Sequence, residues 1–298
     1  MNRLMVFTLT VLAANAGAQA LEPRFYSNAP VGMNFALGGY ALSSGGLSAD
    51  SSVNLTDANV DLHLAFAAYA RSGSLFGKSA KFDVVVPYGY LYGSGFLDGT
   101  FAEREVDGFA DPQFRLSVNL VGAPALTLAE FKDYKQNFVM GTSLKVTAPM
   151  GQYDSNRALN IGTHRWSVAP EIGMSKTFGS LVLELAGAAT VYTDNNNFLG
   201  QKKEQDPLYS VQGHVVYTFK RGIWLALDAT RYAGGRTTVG GVEKNDFQQN
   251  TRLGATLAVP VSKQNSIKLY ASSGVSARTG TNFDTYGAAW QYRWGGGL

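Results

Sequence analysis

The chain has 298 residues, a formal net charge of +3 and no cysteine, which excludes a disulfide framework and any cysteine metal site. Glycine is abundant (34 residues), aromatics reach 12% and charged residues only 16%. That balance excludes a disordered chain and offers no basic patch for nucleic acid; it fits an all-β protein with many turns and a face for lipid.

Residues 1–20, MNRLMVFTLTVLAANAGAQA, combine Arg3, an apolar run from Leu4 to Ala14 and the small-x-small site Ala18-Gln19-Ala20. This is the pattern of a cleaved secretory signal, leaving Leu21 as the mature N-terminus and 21–298 as one domain. No later stretch reaches the roughly 18 apolar residues a membrane helix needs.

From there the chain alternates with period two. In 60–71, Val60, Leu62, Leu64, Phe66 and Ala68 oppose Asp61, His63, Tyr69 and Arg71. In 113–120, Phe114, Leu116, Val118 and Leu120 oppose Gln113, Arg115, Ser117 and Asn119. Leu181, Leu183 and Leu185 oppose Glu184, and Ile267, Leu269 and Ala271 oppose Lys268 and Tyr270. No stretch shows the helical period. Such segments predict about twelve strands, near 32–42, 60–71, 80–92, 112–121, 138–148, 166–177, 181–193, 208–219, 223–233, 251–261, 266–278 and 283–294. Most are about 10–13 residues long, against about 5–6 in soluble sheets and about 9–11 for a tilted transmembrane strand.

Short connections (178–180, 220–222, 262–265) alternate with long polar ones (93–111, 151–165, 195–207), with 122–137 a long exception. Short periplasmic turns and longer external loops are the pattern of an outer-membrane barrel. The expectation is an all-β, transmembrane antiparallel up-and-down barrel of about twelve strands with both termini periplasmic. A soluble β-sandwich shares the alternation but not the strand length.

The polar face is then expected to line a lumen: Asp61, His63, Arg71, Asp83, Arg115, Lys145, Glu171, Glu184, His214, Asp228, Arg252, Lys268, Arg278 and Arg293. Against hydrocarbon an Arg or Lys would cost about 2–4 kcal/mol at mid-depth. Inside, these groups either pair across strands or line a polar path. Tyr88, Tyr90, Tyr92, Tyr217, Phe219, Trp290, Tyr292 and Trp294 are expected as an aromatic belt at headgroup depth. Residues 21–31 leave no room for a plug domain before the first strand.

The motifs that suggest other chemistry fall short. SGSLFGKS (72–79) misses the phosphate-loop spacing by one residue and reads as a hairpin turn. GSGFLDG (93–99) misses the dinucleotide fingerprint. DANVD (57–61) lacks the glycine of a calcium loop. None of His63, His164 and His214 has a serine two residues away, as a barrel phospholipase needs; His164 with Asp154 and a protease role needs a placement the sequence does not supply. The expectation is a non-enzyme, without metal or cofactor.

The stretches GTSLKVTAPMGQYD (141–154), NIGTHRWSVAPEIGMSKTFG (160–179), VYTDNNNFLGQKKEQDPLYSVQGHVVY (191–217), GIWLALDATRYAGGRTTVGG (222–241), RLGATLAVPV (252–261) and FDTYGAAWQYRW (283–294) resemble the outer-membrane proteins of the "MetA-pathway of phenol degradation" family. The resemblance spans nearly the whole mature chain and implies an outer-membrane β-barrel transporter. The expected function is passive passage of small molecules, aromatic or hydrophobic compounds among the candidates, through a narrow polar lumen. A closed barrel acting through its outer loops is the alternative, and a barrel hydrolase a more distant one. Expected partners are outer-membrane lipid, the barrel-assembly machinery and a small-molecule solute, with the barrel a monomer. The C-terminal strand carries aromatics as an assembly signal does, although GGGL follows Trp294.

Overall fold

The elements run β1 (Met33–Gly46), β2 (Leu55–Leu75), β3 (Lys78–Leu97), β4 (Thr100–Phe109), β5 (Gln113–Val121), α1 (Leu128–Phe131), β6 (Phe138–Thr147), β7 (Ser167–Phe178), β8 (Leu181–Tyr192), β9 (Asn195–Phe198), β10 (Gln201–Gln205), β11 (Leu208–Thr218), β12 (Trp224–Gly234), β13 (Thr237–Val239), β14 (Val242–Glu243), β15 (Gln248–Pro260), β16 (Asn265–Ser276) and β17 (Asn282–Gly295). This computed structural model describes residues 22–46, 55–97, 99–278 and 282–298; the processing signal expected over 1–20 lies outside them.

Twelve strands close into an antiparallel ring in the order β1-β17-β16-β15-β12-β11-β8-β7-β6-β5-β3-β2 and back to β1. The seam between first and last strands is long, from Met33 opposite Gly295 to Gly46 opposite Asn282. Closure pairs the backbone groups of every wall strand, the condition for a sheet in lipid. Outward side chains such as Leu116, Leu144, Ile172, Leu185, Leu227 and Leu269 are all exposed and form the apolar band.

The short turns lie at one end, with the N-terminal segment and the C-terminus. Phe76 and Gly77, both at positive φ, make the two-residue turn between β2 and β3. At the same end, α1 starts in a capping box in which the Glu130 carboxylate accepts the Thr127 backbone N–H. That bond, with one from the Thr127 hydroxyl, holds the Glu130 carboxyl below its ordinary pKa. At the loop end, β9, β10, β13 and β14 form a small separate sheet.

The wall is uneven in height. β2 and β3 have 21 and 20 residues, but β5 and β6 only 9 and 10. β5 pairs with the turn-end half of β3, and β4 pairs with its loop-end half, from Tyr88 opposite Phe109 to Leu97 opposite Thr100. The stretch 93–111, expected as a loop, is therefore a hairpin that prolongs the wall. Its carboxylates Glu103, Glu105 and Asp107 accept hydrogen bonds from the outward Tyr92, Tyr90 and Tyr88.

Candidate functional site

Among the described residues, side chains pack much of the barrel interior, and the packing is unevenly polar. On the β1–β3 side, Phe35, Leu37, Phe66, Ala68, Ala70 and Val85 pack together with Met33 and Ala289. At the turn end of the opposite wall, Val182, Val216, Trp224, Ala226 and Ala258 make a second apolar cluster. Between these lies a charged layer, and into it runs a segment that belongs to no strand.

Residues 22–30 enter from the turn end, where Val31 N–H donates to the Leu126 carbonyl at 2.8 Å, and reach Glu22 in mid-barrel. Each step is held by the wall or its connections. Asn28 donates to the Pro124 carbonyl at 3.1 Å, and its backbone N–H to the Gln136 side chain at 3.0 Å. The Tyr26 phenol donates to Glu171 at 2.8 Å, and Asn119 donates to the Tyr26 carbonyl at 3.2 Å. Arg24 N–H donates to Glu184 at 2.6 Å, while its guanidinium lies 5.6 Å from the Trp224 ring centre. Phe25 sits under two cations, with Arg115 Cζ 3.9 Å and Lys81 Nζ 4.1 Å from its ring centre. Glu22 pairs with Arg115, whose Nη2 is held by Asp83 at 3.0 Å.

The Tyr26 ring lies over Gly141 and Gly173, which are directly opposite one another on β6 and β7. A Cβ at either position would fall inside that ring. The pair is a notch in the wall, cut by the absence of two side chains. Replacing Gly173 with valine is expected to expel Tyr26 and loosen the whole segment; planar-bilayer recording would show longer open times without any change to the segment's own sequence.

Among the described residues, a cavity of about 40 Å³ lies in the middle, lined by Glu22, Arg115, Lys145, Glu171, Gln212 and Tyr232 among others. That is room for a few waters. A second inward-folded element stands toward the loop end. The connection between β6 and β7 folds inward and buries Ile161 against Val60, Leu91 and Ala110. Asp111, fully buried, pins it by accepting from Gly151 N–H and Thr163 N–H, each at 2.8 Å, and from the Thr163 hydroxyl at 2.6 Å. Hydrogen bonds to a charged acceptor contribute about 1.5–3 kcal/mol each. Asp111→Ala is expected to release this connection, and trypsin cutting after the exposed Arg157 should rise about tenfold or more, tracking the open population.

The residues expected at the lumen divide into three groups. Asp83, Arg115, Lys145, Glu171, Glu184, His214, Asp228, Arg252 and Lys268 point inward. His214 Nδ1 lies 2.7 Å from Asp228, which also accepts from Thr256, and Arg252 donates to the Phe283 carbonyl and to Ser272. Arg293 shares the inward face of β17 with the buried Gln291 but sits at the turn-end rim, where it donates to the Lys263 carbonyl at 2.7 Å.

Asp61 and Arg71 are corrected, together with His63. They lie on the outer face of β2 beside Tyr69, while Leu64, Phe66, Ala68 and Ala70 are buried inside. β2 turns its apolar face inward because the lumen there is a packed core, not water. Outside, Asp61 accepts from Ser44 and His63 meets Tyr40. Arg278 is corrected as well. It lies past the end of β16, exposed, with its backbone N–H on Asn250 and its guanidinium near Phe247.

The aromatic residues form two outward groups. Trp290, Tyr292 and Trp294 stack in a row at the turn end, joined by Tyr69, and Tyr217 contacts Phe219. Tyr88, Tyr90 and Tyr92 stand toward the loop end, above the outward Phe82, Val84 and Val86 of the same strand.

Sequence reasoning missed the N-terminal segment altogether. The residues that hold it are ordinary one by one; the available signal was Gly141 and Gly173, glycines inside strands where only a close neighbour explains them.

A closed antiparallel barrel with an apolar outer band, charged groups inside and aromatics at both rims is a transmembrane β-barrel of the outer-membrane type. The family described as "Putative MetA-pathway of phenol degradation" matches residues 23–292, and the chain belongs to it. No curated protein matches the chain. Among solved structures it is similar to an outer membrane channel from Pseudomonas putida F1, with a TM-score of 0.77 and 20% identity, covering 92% of this chain and 100% of that one. It is also similar to the transport unit of the autotransporter AIDA-I from Escherichia coli, with a TM-score of 0.52 and 7% identity, covering 88% and 90% of the two chains. At these identities the likeness is one of fold.

Proposed function

We propose that this protein is an outer-membrane channel for passive passage of small molecules, and that residues 22–30 close it in the state described here. The observation that carries this reading is that the obstruction is not part of the wall. The barrel is complete through strand-to-strand pairing alone, and the segment inside it is tied by side chains and a few backbone bonds. Such a segment can leave without unpairing any strand. The P. putida neighbour, itself an outer membrane channel, supports the same reading.

The difference between the barrel's two ends supports one orientation in this reading. Short turns and both termini face the periplasm, long connections face outward, and residues 1–20 are removed on export. Trp290, Tyr292 and Trp294 then stand at the inner headgroups. Aromatic or otherwise hydrophobic solutes fit the apolar wall of β1–β3. The barrel inserts through the assembly machinery and works as a monomer.

Conductance tests this. The processed chain in a planar bilayer should show rare, brief openings that become frequent when the segment is unseated. A chain that never conducts, with the segment in place or unseated, favours the closed barrel acting through its loops.

A further inference from the structure

We propose that the place now filled by Glu22 and Phe25 is a solute site for arylalkanoates, molecules with an aromatic ring and a carboxylate joined by a short flexible linker. The inference rests on the channel reading above and names its solute class.

One guanidinium organises the site. Arg115 donates to the Glu22 carboxylate through Nη1, and its Cζ lies over the Phe25 ring, 3.9 Å from the ring centre. Lys81 covers the same ring at 4.1 Å. The ring's other contacts are apolar: Val139, Ala123 and the edge of Tyr26, whose ring centre is 4.9 Å away. Asp83 fixes Arg115 from behind through Nε and Nη2, so the arginine keeps its position whether or not the segment is present. The wall thus presents a buried cationic clamp above an apolar floor, and the chain's own carboxylate and phenyl group occupy it.

Charge explains why an occupant is needed. Lys81, Arg115 and Lys145 face Asp83, Glu171 and Glu22 in this layer, three cations against three carboxylates. Withdrawal of the segment carries Glu22 and Arg24 away together, so the imbalance it leaves is local: Arg115, Lys81 and Lys145 keep only Asp83 and Glu171, one positive charge in excess in a poorly hydrated layer, which opposes opening. An entering carboxylate restores the balance, and a ring regains the stacking on Arg115 and Lys81. Both parts are required together. Their arrangement on Arg115, carboxylate on Nη1 and ring centre 3.9 Å from Cζ, calls for a linker between them. In benzoate the carboxylate is fixed in the ring plane and cannot reach both positions on one guanidinium.

The test uses the processed full-length chain in planar bilayers with 3-phenylpropionate as probe, and 3-phenylpropanol and hexanoate as controls lacking the charge or the ring. The expected result is about a tenfold rise in open probability with 3-phenylpropionate and less than about a twofold change with either control, a selective gain that corresponds to one decade in the closed-to-open ratio. Equal effects of all three overturn the proposal. In parallel, equilibrium dialysis of labelled 3-phenylpropionate against the Glu22→Gln/Phe25→Ala chain, whose site is vacated, should show binding, weakened by a further Lys81→Met change. No binding there overturns the proposal even if that variant conducts freely, which leaves the channel reading standing. Binding without conductance in any variant keeps the site and removes the channel.

Discussion

Replacing Glu22, Arg24 and Tyr26 together by alanine is expected to turn a channel that is mostly closed into one that is mostly open. None of the three residues lies in a strand, so the wall keeps all its pairing. What is lost is the attachment. Glu22 forms a buried ion pair with Arg115, and removing one member of such a pair costs about 3–5 kcal/mol where the partner stays dry. The Tyr26 phenol bond to Glu171 adds about 1.5–3 kcal/mol as a bond to a charged acceptor. These terms are not additive, because the vacated layer rehydrates. Even about 3 kcal/mol moves a closed-to-open ratio by more than a hundredfold. Single-channel recording would show it as long open dwell times. The folded band in an unheated denaturing gel should stay as resistant to heat as that of the unaltered chain. Unchanged dwell times would mean that the segment does not gate the lumen.

The contrast with what the sequence offers is instructive at β2, β4 and the N-terminus. Twelve wall strands are legible because a lipid-facing wall must alternate, and residues such as Leu116 and Arg115 cannot exchange faces cheaply. Alternation separates two faces but does not say which is inside. Where the lumen holds charges, as at Arg115 and Glu171, apolar means outward. Where it holds a packed core, as at Phe66 and Leu64, the inward face is apolar and Asp61 and Arg71 turn out. β4 escapes notice because its central outward positions, Glu103, Glu105 and Asp107, are carboxylates that stand beyond the apolar band, so it reads as a polar loop. Residues 22–30 carry no periodicity at all; their structure is imposed by the walls they touch.

Asp83 and Glu22 bind the same guanidinium, yet their removal is expected to have opposite signatures. Asp83 is on β3, 1% exposed, and its partner Arg115 is on the neighbouring β5, so the pair spans two adjacent strands of the wall. Glu22 tethers a segment that the wall does not need. Asp83→Ala should therefore lower the temperature at which the folded gel band is lost, while Glu22→Ala should chiefly raise conductance. The size of the first effect measures how dry the charged layer is. In a dry interior, leaving Arg115 with Glu22 as its one remaining carboxylate costs up to about 3–5 kcal/mol. In a hydrated lumen two charges 4 Å apart interact by only about 1 kcal/mol, and the loss would be near that. The triple variant Glu22→Gln/Asp83→Leu/Arg115→Met separates the cases further, since removing only Asp83 and Arg115 would strand the buried Glu22 carboxylate. If the layer is dry, replacing all three charges with uncharged groups should recover most of the stability that Asp83→Ala loses, because a buried charged triad and its uncharged substitute are nearly equivalent. If water reaches the layer, the triple variant should be no better than the single one. The cavity of about 40 Å³ beside these residues, with the Phe25 ring packed against Arg115, places the expected result on the dry side.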